Sequence, residues 1–464
     1  MRMLAPLGAL LLFAECCLSV ASADSLESAL TNAYTNNPQI NSQRAIVRQT
    51  DETIPQALAG RRPKVGATIS GGEEYQSSTY NANPGFKPLT YQTFGGLFAN
   101  IQGGVNATQT LSDGNQTTNR TRSAESQVRA ARETLRLITQ NVLLSAVTAY
   151  LNLLRDSAIR DLQQRNVEVL QEQLRQTRER FKVQDVTRTD VDQAESRLNA
   201  ARAQSFIAQA NYEGSRAEYR RIVGVDPGKL APASTVDRLA PGTVDAAIDQ
   251  GTKEHPAVTA AMYGVDVAQF QVKIAEGALF PVLSLNGSLQ KVYGPSVSTF
   301  ESTQGAILGQ ISVPIYQGGA DYSAIRQSKE GVGQKRLDLD AARDQVRSTV
   351  AQSWAQLQAA KQSIIVIQAQ VAAAERALDG VRQEARVGQR TTLDVLNAEQ
   401  ELVNGRVSFV SAQRDRMLAS YTLLASTGRL SPEILGLNIP EYDSSVHYYQ
   451  VRDAWKGVRT PEGR

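Results

Sequence analysis

The sequence predicts a mainly α protein with a small β portion, built as a tandem duplication. Three observations carry this: an internal offset, two very long helical stretches, and short alternating segments between helices. Leu26-x-x-Ala29-Leu30 with Asn37-Pro38-x-Ile40 recurs as Val244-x-x-Ala247-Ile248 with His255-Pro256-x-Val258, an offset of 218 (256 − 38) that Pro63 and Pro281 keep. From Leu111-Ser112-Asp113-Gly114 and Ile315-Tyr316-Gln317-Gly318 onward the offset is 204 (315 − 111), through Asp190/Asp394 to Gly224/Gly428. A constant offset that includes Gly and Pro marks duplication rather than shared helical composition.

Arg2, the apolar run Leu4 to Val20 and Ala21-Ser22-Ala23 read as an export signal over 1–23, cleaved after Ala23, with Ala21 and Ala23 as the small residues of the cleavage site. Both cysteines, Cys16 and Cys17, leave with it and follow no lipobox, so no disulfide, thiolate metal site or lipid anchor is expected. The expected domains are a first repeat at 24–224, a connecting segment at 225–242, a second repeat at 243–428 and a tail at 429–464.

Each repeat begins with a helical stretch, 25–60 (patterned up to Pro55) and about 243–279. Two strands then follow in each. In 282–293, Leu283, Leu285, Gly287 and Leu289 alternate with Ser284, Asn286, Ser288 and Gln290; 305–316 and 96–111 alternate in the same way, and Gly-rich 64–75 is read as the fourth strand. An apolar face opposite an uncharged polar face fits a barrel between lipid and water, and equally a half-buried soluble hairpin. The 14 residues (218 − 204) by which the first repeat is longer fall between Pro63 and Leu111, where Gly71-Gly72, Asn81, Asn83-Pro84-Gly85 and Pro88 read as loop.

The long helices come next. From 116 to 182 there is neither Pro nor Gly, and Val128, Ala131, Leu135, Ile138, Val142, Ala146, Ala149 and Leu153 step by three and four. At 1.5 Å per residue such a helix is ~100 Å long. Breaks at 183–189 and 387–392, the second with Gly388, lead to final helices at 190–223 and 394–427. Two shorter helices stacked end to end match the long one, giving a double-length hairpin with the strands at one end. After the signal no run of 18 apolar residues appears, the nearest being Ile364 to Ala374, so no transmembrane helix is expected.

Lys and Arg (49) nearly balance Asp and Glu (46), which speaks against a nucleic-acid partner. There are 2 histidines, and no metal-ligand spacing, phosphate loop or nucleophile elbow; an enzyme is not expected, nor any cofactor or metal. His255 stands where the first repeat has Asn37 and reads as structural.

Leu26-x-x-Ala-Leu with Asn37-Pro38, Ala57-x-Ala-Gly60-x-x-Pro63, and Val387-Gly388-x-Arg390-Thr391-Thr392-x-Asp394-Val395-Leu396-x-Ala398 stand in order on the duplicated frame. Together they resemble the TolC family of outer-membrane efflux and secretion ducts of Gram-negative bacteria, over nearly the whole mature chain. The tail, with Tyr442-Asp443, His447-Tyr448 and Val451-Arg452-Asp453-x-Trp455, is similar to alphaproteobacterial members associated with type I secretion. Four strands are too few to close a barrel, so spanning strands require oligomerisation. The resemblance implies a homotrimer: a twelve-stranded transmembrane β-barrel in outer-membrane lipid, four strands per chain, continuous with a periplasmic α-helical barrel. An equatorial region would come from 225–242 and the tail. It implies a passive exit duct for type I protein secretion, multidrug efflux or both, served by a periplasmic adaptor and an inner-membrane pump of ABC or RND type. The alternatives are a dedicated small-molecule efflux duct (drugs, bile salts, toxicants) and, more remotely, a periplasmic coiled-coil structural protein.

The resemblance also assigns residues. Asp394 would project into a gated periplasmic entrance, and Arg390 would bond across to Thr189 or Asp190. The tips Val183, Gln184 and Asp185, and Val387, Gly388, Gln389 and Thr391, would dock the adaptor. The family often has a second aspartate one turn after the first; here it is Asn397, and the tyrosine of the family latch falls at Ala385. Asp190 and Asp394 also suit the plainer role of helix N-terminal residues answering the macrodipole.

Overall fold

A computed structural model describes residues 24–85, 87–88, 90–296, 299–440, 442–461 and 463. The expected signal at 1–23, with Ala21 and Ala23, lies outside the described residues.

The first repeat runs through helices α1 (Leu26–Asn36), α2 (Pro38–Asp51) and α3 (Thr53–Leu58), strands β1 (Lys64–Asn81) and β2 (Tyr91–Asp113), then α4 (Gln116–Lys182) and α5 (Arg188–Val223). The second comprises α6 (Val244–Glu254), α7 (Pro256–Gly277), β3 (Val282–Ser296), β4 (Thr299–Ser312), α8 (Ala320–Arg386) and α9 (Thr392–Ser426); α10 (Ser445–Val451) lies in the tail. The first stretch, expected to be one helix, is broken at Asn37 and again at Glu52. Asn37 caps α2 through its side chain, which accepts from Gln39 N–H at 2.9 Å, with Pro38 in the first helical position. Pro55 has no N–H to give the Asp51 carbonyl, so the helix breaks at Glu52 and restarts with Pro55 in the first turn of α3. The equivalent α7 has no such proline and runs unbroken for 22 residues.

Both long helices have 67 residues, ~100 Å each. Each is covered near its tip end by the helix returning from the tip, α5 on α4 and α9 on α8, while α2 and α7 cover α4 elsewhere and α6 and α7 cover α8. The main core gathers where these meet: Leu30, Ile40, Val47, Leu143, Val147, Tyr150, Tyr219, Val223, Tyr421 and Leu424 are buried together. One 18-residue window in α4 has mean hydropathy 1.4, enough by length and composition for a membrane span, against the sequence expectation; 56% of it is buried within the chain, which accounts for its apolar character.

The strands form one antiparallel sheet in the order β1-β2-β3-β4, the two repeats joined through β2 and β3. Register puts Val65, Ile69, Ile101, Val105, Leu285, Leu289, Ile307 and Ile311 on one face, all exposed. The opposite face is polar and bonded across strands: Gln290 to Gln102 at 2.9 Å, Asn286 to Gln310 at 3.3 Å, Asn100 to Glu74 at 3.2 Å. Strand limits differ from expectation. β1 and β2 extend to Asn81 and back to Tyr91, so Gly71, Gly72 and Asn81 lie in strand, not loop, opposite Ile101, Asn100 and Tyr91. β4 spans Thr299–Ser312 rather than 305–316, because Pro314 cannot donate to the ladder.

Candidate functional site at the hairpin tips

The two α-hairpins end at the pole opposite the sheet, and both turns are built alike. In the first, Gln184 N–H donates to Phe181 O (3.0 Å) and Asp185 N–H to Arg180 O (3.0 Å); in the second, Gly388 N–H donates to Ala385 O (3.2 Å) and Gln389 N–H to Glu384 O (2.9 Å). This is a Schellman stop, which needs a left-handed residue at its centre. Gly388 (φ 77°) meets that need without strain; Gln184 (φ 62°) does so with a side chain.

Each returning helix opens with a capping box. Thr187 N–H donates to Asp190 Oδ2 (2.9 Å) while Asp190 N–H donates back to Thr187 Oγ1 (3.2 Å). Thr391 and Asp394 repeat this at 2.9 and 3.2 Å. The Thr391 backbone N–H and hydroxyl, with Arg390 nearby, hold the Asp394 carboxyl below its usual range. Both aspartates therefore have the capping role the sequence allowed them. The sequence reading missed the cap donors' partner, Thr187, although T-x-x-D is a legible signal; Thr189 is exposed in the first turn of α5.

Arg390 does not bond to Thr189 or Asp190. Its Nε lies 2.8 Å from Glu384 Oε2, on the same turn, as Arg180 lies 2.6 Å from Asp185 in the first tip. A partner fixed six residues away by the turn is met before one on another hairpin. Near the tips the hairpins are instead joined by Arg197 Nη2 donating to Asn397 Oδ1 at 2.8 Å, from α5 to α9. Leu396 also crosses, packing with Leu170, Leu174, Val191 and Leu198 of the first hairpin. Two ion pairs repeat at the duplicated positions, Arg178–Glu195 (2.9 Å) and Arg382–Glu399 (2.8 Å), tying each hairpin's helices together. Between the tips lies an open groove of about 980 Å³ lined by Arg180, Asp185, Thr187, Asp190, Arg390 and Thr391 among others. The site is polar, charged and open to its surroundings. Among the described residues no cluster suited to a metal occurs, and His255 serves as a helix cap, its Nδ1 accepting from Ala257 N–H at 3.2 Å.

Comparison with known proteins yields one consistent answer. Residues 29–225 and 247–429 each match the family described as outer membrane efflux protein. The chain is 39% identical over 446 residues to the outer membrane efflux protein BepC of Brucella suis, covering 96% of this chain and 94% of that one. It is 28% identical over 328 residues to the alkaline protease secretion protein AprF of Pseudomonas aeruginosa, covering 67% and 65%. The fold superposes on the Campylobacter jejuni CmeC outer membrane channel with a TM-score of 0.74 at 16% identity, covering 92% of this chain and 89% of the other.

Proposed function

Because this chain belongs to the outer membrane efflux protein family, we propose that it is one subunit of a passive exit duct in the outer membrane, and that three copies close a common barrel and tunnel. The observation that carries this reading is the sheet. Its apolar face is exposed, its polar face is bonded and uncharged for most of its length, and the outer edges of β1 and β4 meet no strand among the described residues. An exposed edge beside an exposed apolar face is untenable in water and is answered by closure in lipid. Three chains of four strands give a twelve-stranded barrel, β1 of one meeting β4 of the next.

The helical hairpins then extend the barrel into the periplasm, and the tips form its gate. Arg390, Asp394, Asp190 and Thr189 line the closing end; Val183, Gln184, Asp185, Val387, Gly388, Gln389 and Thr391 form the exposed turns that an adaptor's helices meet. Energy comes from an inner-membrane pump, of ABC or RND type, through that adaptor. Residues 1–23 are the export signal, and 225–242 with 429–464 form an equatorial collar. The cargo includes small molecules, a reading supported by the efflux relative, and extends to secreted proteins, supported by the protease secretion relative.

Reconstitution in planar bilayers tests this. The protein is expected to give a small, steady conductance that rises when Arg197→Ala removes the bond between the hairpins. Absence of any conductance in both forms refutes the duct; equal conductance in both refutes the gate.

A further inference from the structure

The segment after the second repeat is a strap with a direction. Tyr442 N–H donates to the Tyr34 hydroxyl at 3.4 Å. His447 Nδ1 lies 3.0 Å from the carboxylate of Asp51, which is wholly buried. Tyr448 packs against Ile54 and Val128. Arg62 Nη1 donates to Ala454 O at 2.6 Å, and the same guanidinium stacks 4.7 Å from the centre of the Trp455 ring. The strap positions 442, 447, 448 and 454 thus meet 34, 51, 54 and 62 in order: the tail climbs α1, α2 and α3 and stops beside the start of β1.

What the strap delivers there is unlike the rest of the collar. Trp455 is 69% exposed although a cation holds one side of its ring, and Val458 is fully exposed. Residues 452–461 carry Arg452, Lys456 and Arg459 against Asp453, a net +2 (3 − 1), and Arg61 and Lys64 flank the docking arginine. The lowest residue of the apolar face on β1 is Val65, three residues above Arg62, ~10 Å along an extended strand. At a strand tilt of ~40° that step descends ~8 Å, close to the depth of the headgroup zone beyond the hydrocarbon core. Phe280, just before β3, and Tyr316, just after β4, are also aromatic and 57% and 73% exposed. Tryptophan settles at such interfaces because its ring is apolar and its N–H needs a partner, and basic side chains beside it favour anionic headgroups.

We propose that the end of the strap, Trp455 through Arg459, is a membrane-surface anchor that seats Trp455 among the phospholipid headgroups of the periplasmic leaflet. This rests on the reading of the strands as a membrane barrel. The anchor ties the equatorial collar to the bilayer through one chain segment, so the tilt of the helical tunnel is fixed at the barrel's foot as well as by its wall.

The full-length protein has 2 tryptophans, Trp354 and Trp455, so Trp354→Phe leaves Trp455 as the sole tryptophan, excited selectively at the red edge where its tyrosines do not absorb. The protein is reconstituted in phosphatidylethanolamine–phosphatidylglycerol vesicles containing phospholipids brominated near the headgroup or deep in the chain. Trp455 is expected to emit to the blue of an exposed indole and to lose more emission to shallow than to deep bromines. A parallel reporter carries Ile69→Trp with Trp354→Phe and Trp455→Phe, and reads the apolar face of β1. If the Ile69 reporter is quenched by lipid and Trp455 is quenched only by aqueous iodide, the anchor is refuted and the barrel stands. If neither is quenched by lipid, the barrel reading fails and the anchor with it.

Discussion

Adjacent residues of β1 face opposite environments, and this can be tested with one charge. Ile69 lies on the apolar face, 86% exposed, and Ser70 on the polar face opposite Gln102. From Val65 to Tyr75 this face, apolar except for Glu73 near its upper rim, spans ten residue steps, ~33 Å along the strand at 3.3 Å per step. A strand tilted by ~40° spans ~25 Å of bilayer over that length, the height of the apolar band of outer-membrane barrels. Ile69, four steps up, sits ~10 Å above the foot, close to the midplane. An arginine there costs about 2–4 kcal/mol, which is roughly a 30- to 900-fold shift in the folding equilibrium per chain. Ser70→Arg points into the polar interior and is expected within about 0.5 kcal/mol of the parent protein. The assay is urea-dependent folding into phospholipid vesicles, followed by gel mobility of the unheated barrel. Equal losses for the two variants, or a larger loss for Ser70→Arg, would refute both the face assignment and the membrane it faces.

Other consequences follow from the caps and tips. Burial lowers the pKa of His255 below its ordinary 6.5, and its Nδ1 must be unprotonated to accept from Ala257. Its contribution is therefore complete above pH 6.5 and is lost as pH falls through the lower folded value. His255→Asn copies Asn37, keeps the cap, and should flatten the fall in melting temperature between pH 7.5 and 5.5; an unchanged profile would exclude His255 as its source. Gln184→Gly should stabilise the first tip by about 0.5–1 kcal/mol, the αL penalty less the entropy of glycine, and Gly388→Gln should loosen the second; slower and faster amide exchange at the turns is the readout, and the reverse order would contradict the strain. Asn397→Asp turns the contact with Arg197 into an ion pair. It should add about 0.2–1 kcal/mol at this exposed site and reduce openings in bilayer recordings, less so at high salt; a salt-independent effect would mean that the pair is not its cause.

The long helices were legible almost to the residue, because α4 contains no Gly or Pro and the duplication transfers its limits to α8, whose Gly331, Gly333 and Gly380 would otherwise blur them. Strand faces were legible from alternation, but strand ends were not. The upper parts of β1 and β2 are held by pairing between polar residues such as Thr79 and Thr93, whose hydroxyls lie 2.7 Å apart, and polar residues in sequence look like loop. The break at Glu52 follows from Pro55 but appears three residues earlier, since the proline's effect falls on the carbonyl it fails to serve. At the tips, the sequence marked the turns, while the partner that the resemblance implied for Arg390 differs from the one in this chain. A Schellman stop followed by a capping box consumes Asp190 and Asp394 locally, and Glu384 takes Arg390 before any neighbouring hairpin can. Arg197 could not have been found, because its bond to Asn397 joins residues 200 apart and depends on how two hairpins pack.

The central claim is that four strands and two long hairpins per chain close into one threefold tube. Electron microscopy of the detergent-solubilised protein tests it directly. The account predicts particles with threefold symmetry, a short barrel held in the detergent belt, and a helical tube extending ~100 Å from it. A twofold or compact particle, or one that stays dispersed without detergent, would contradict it.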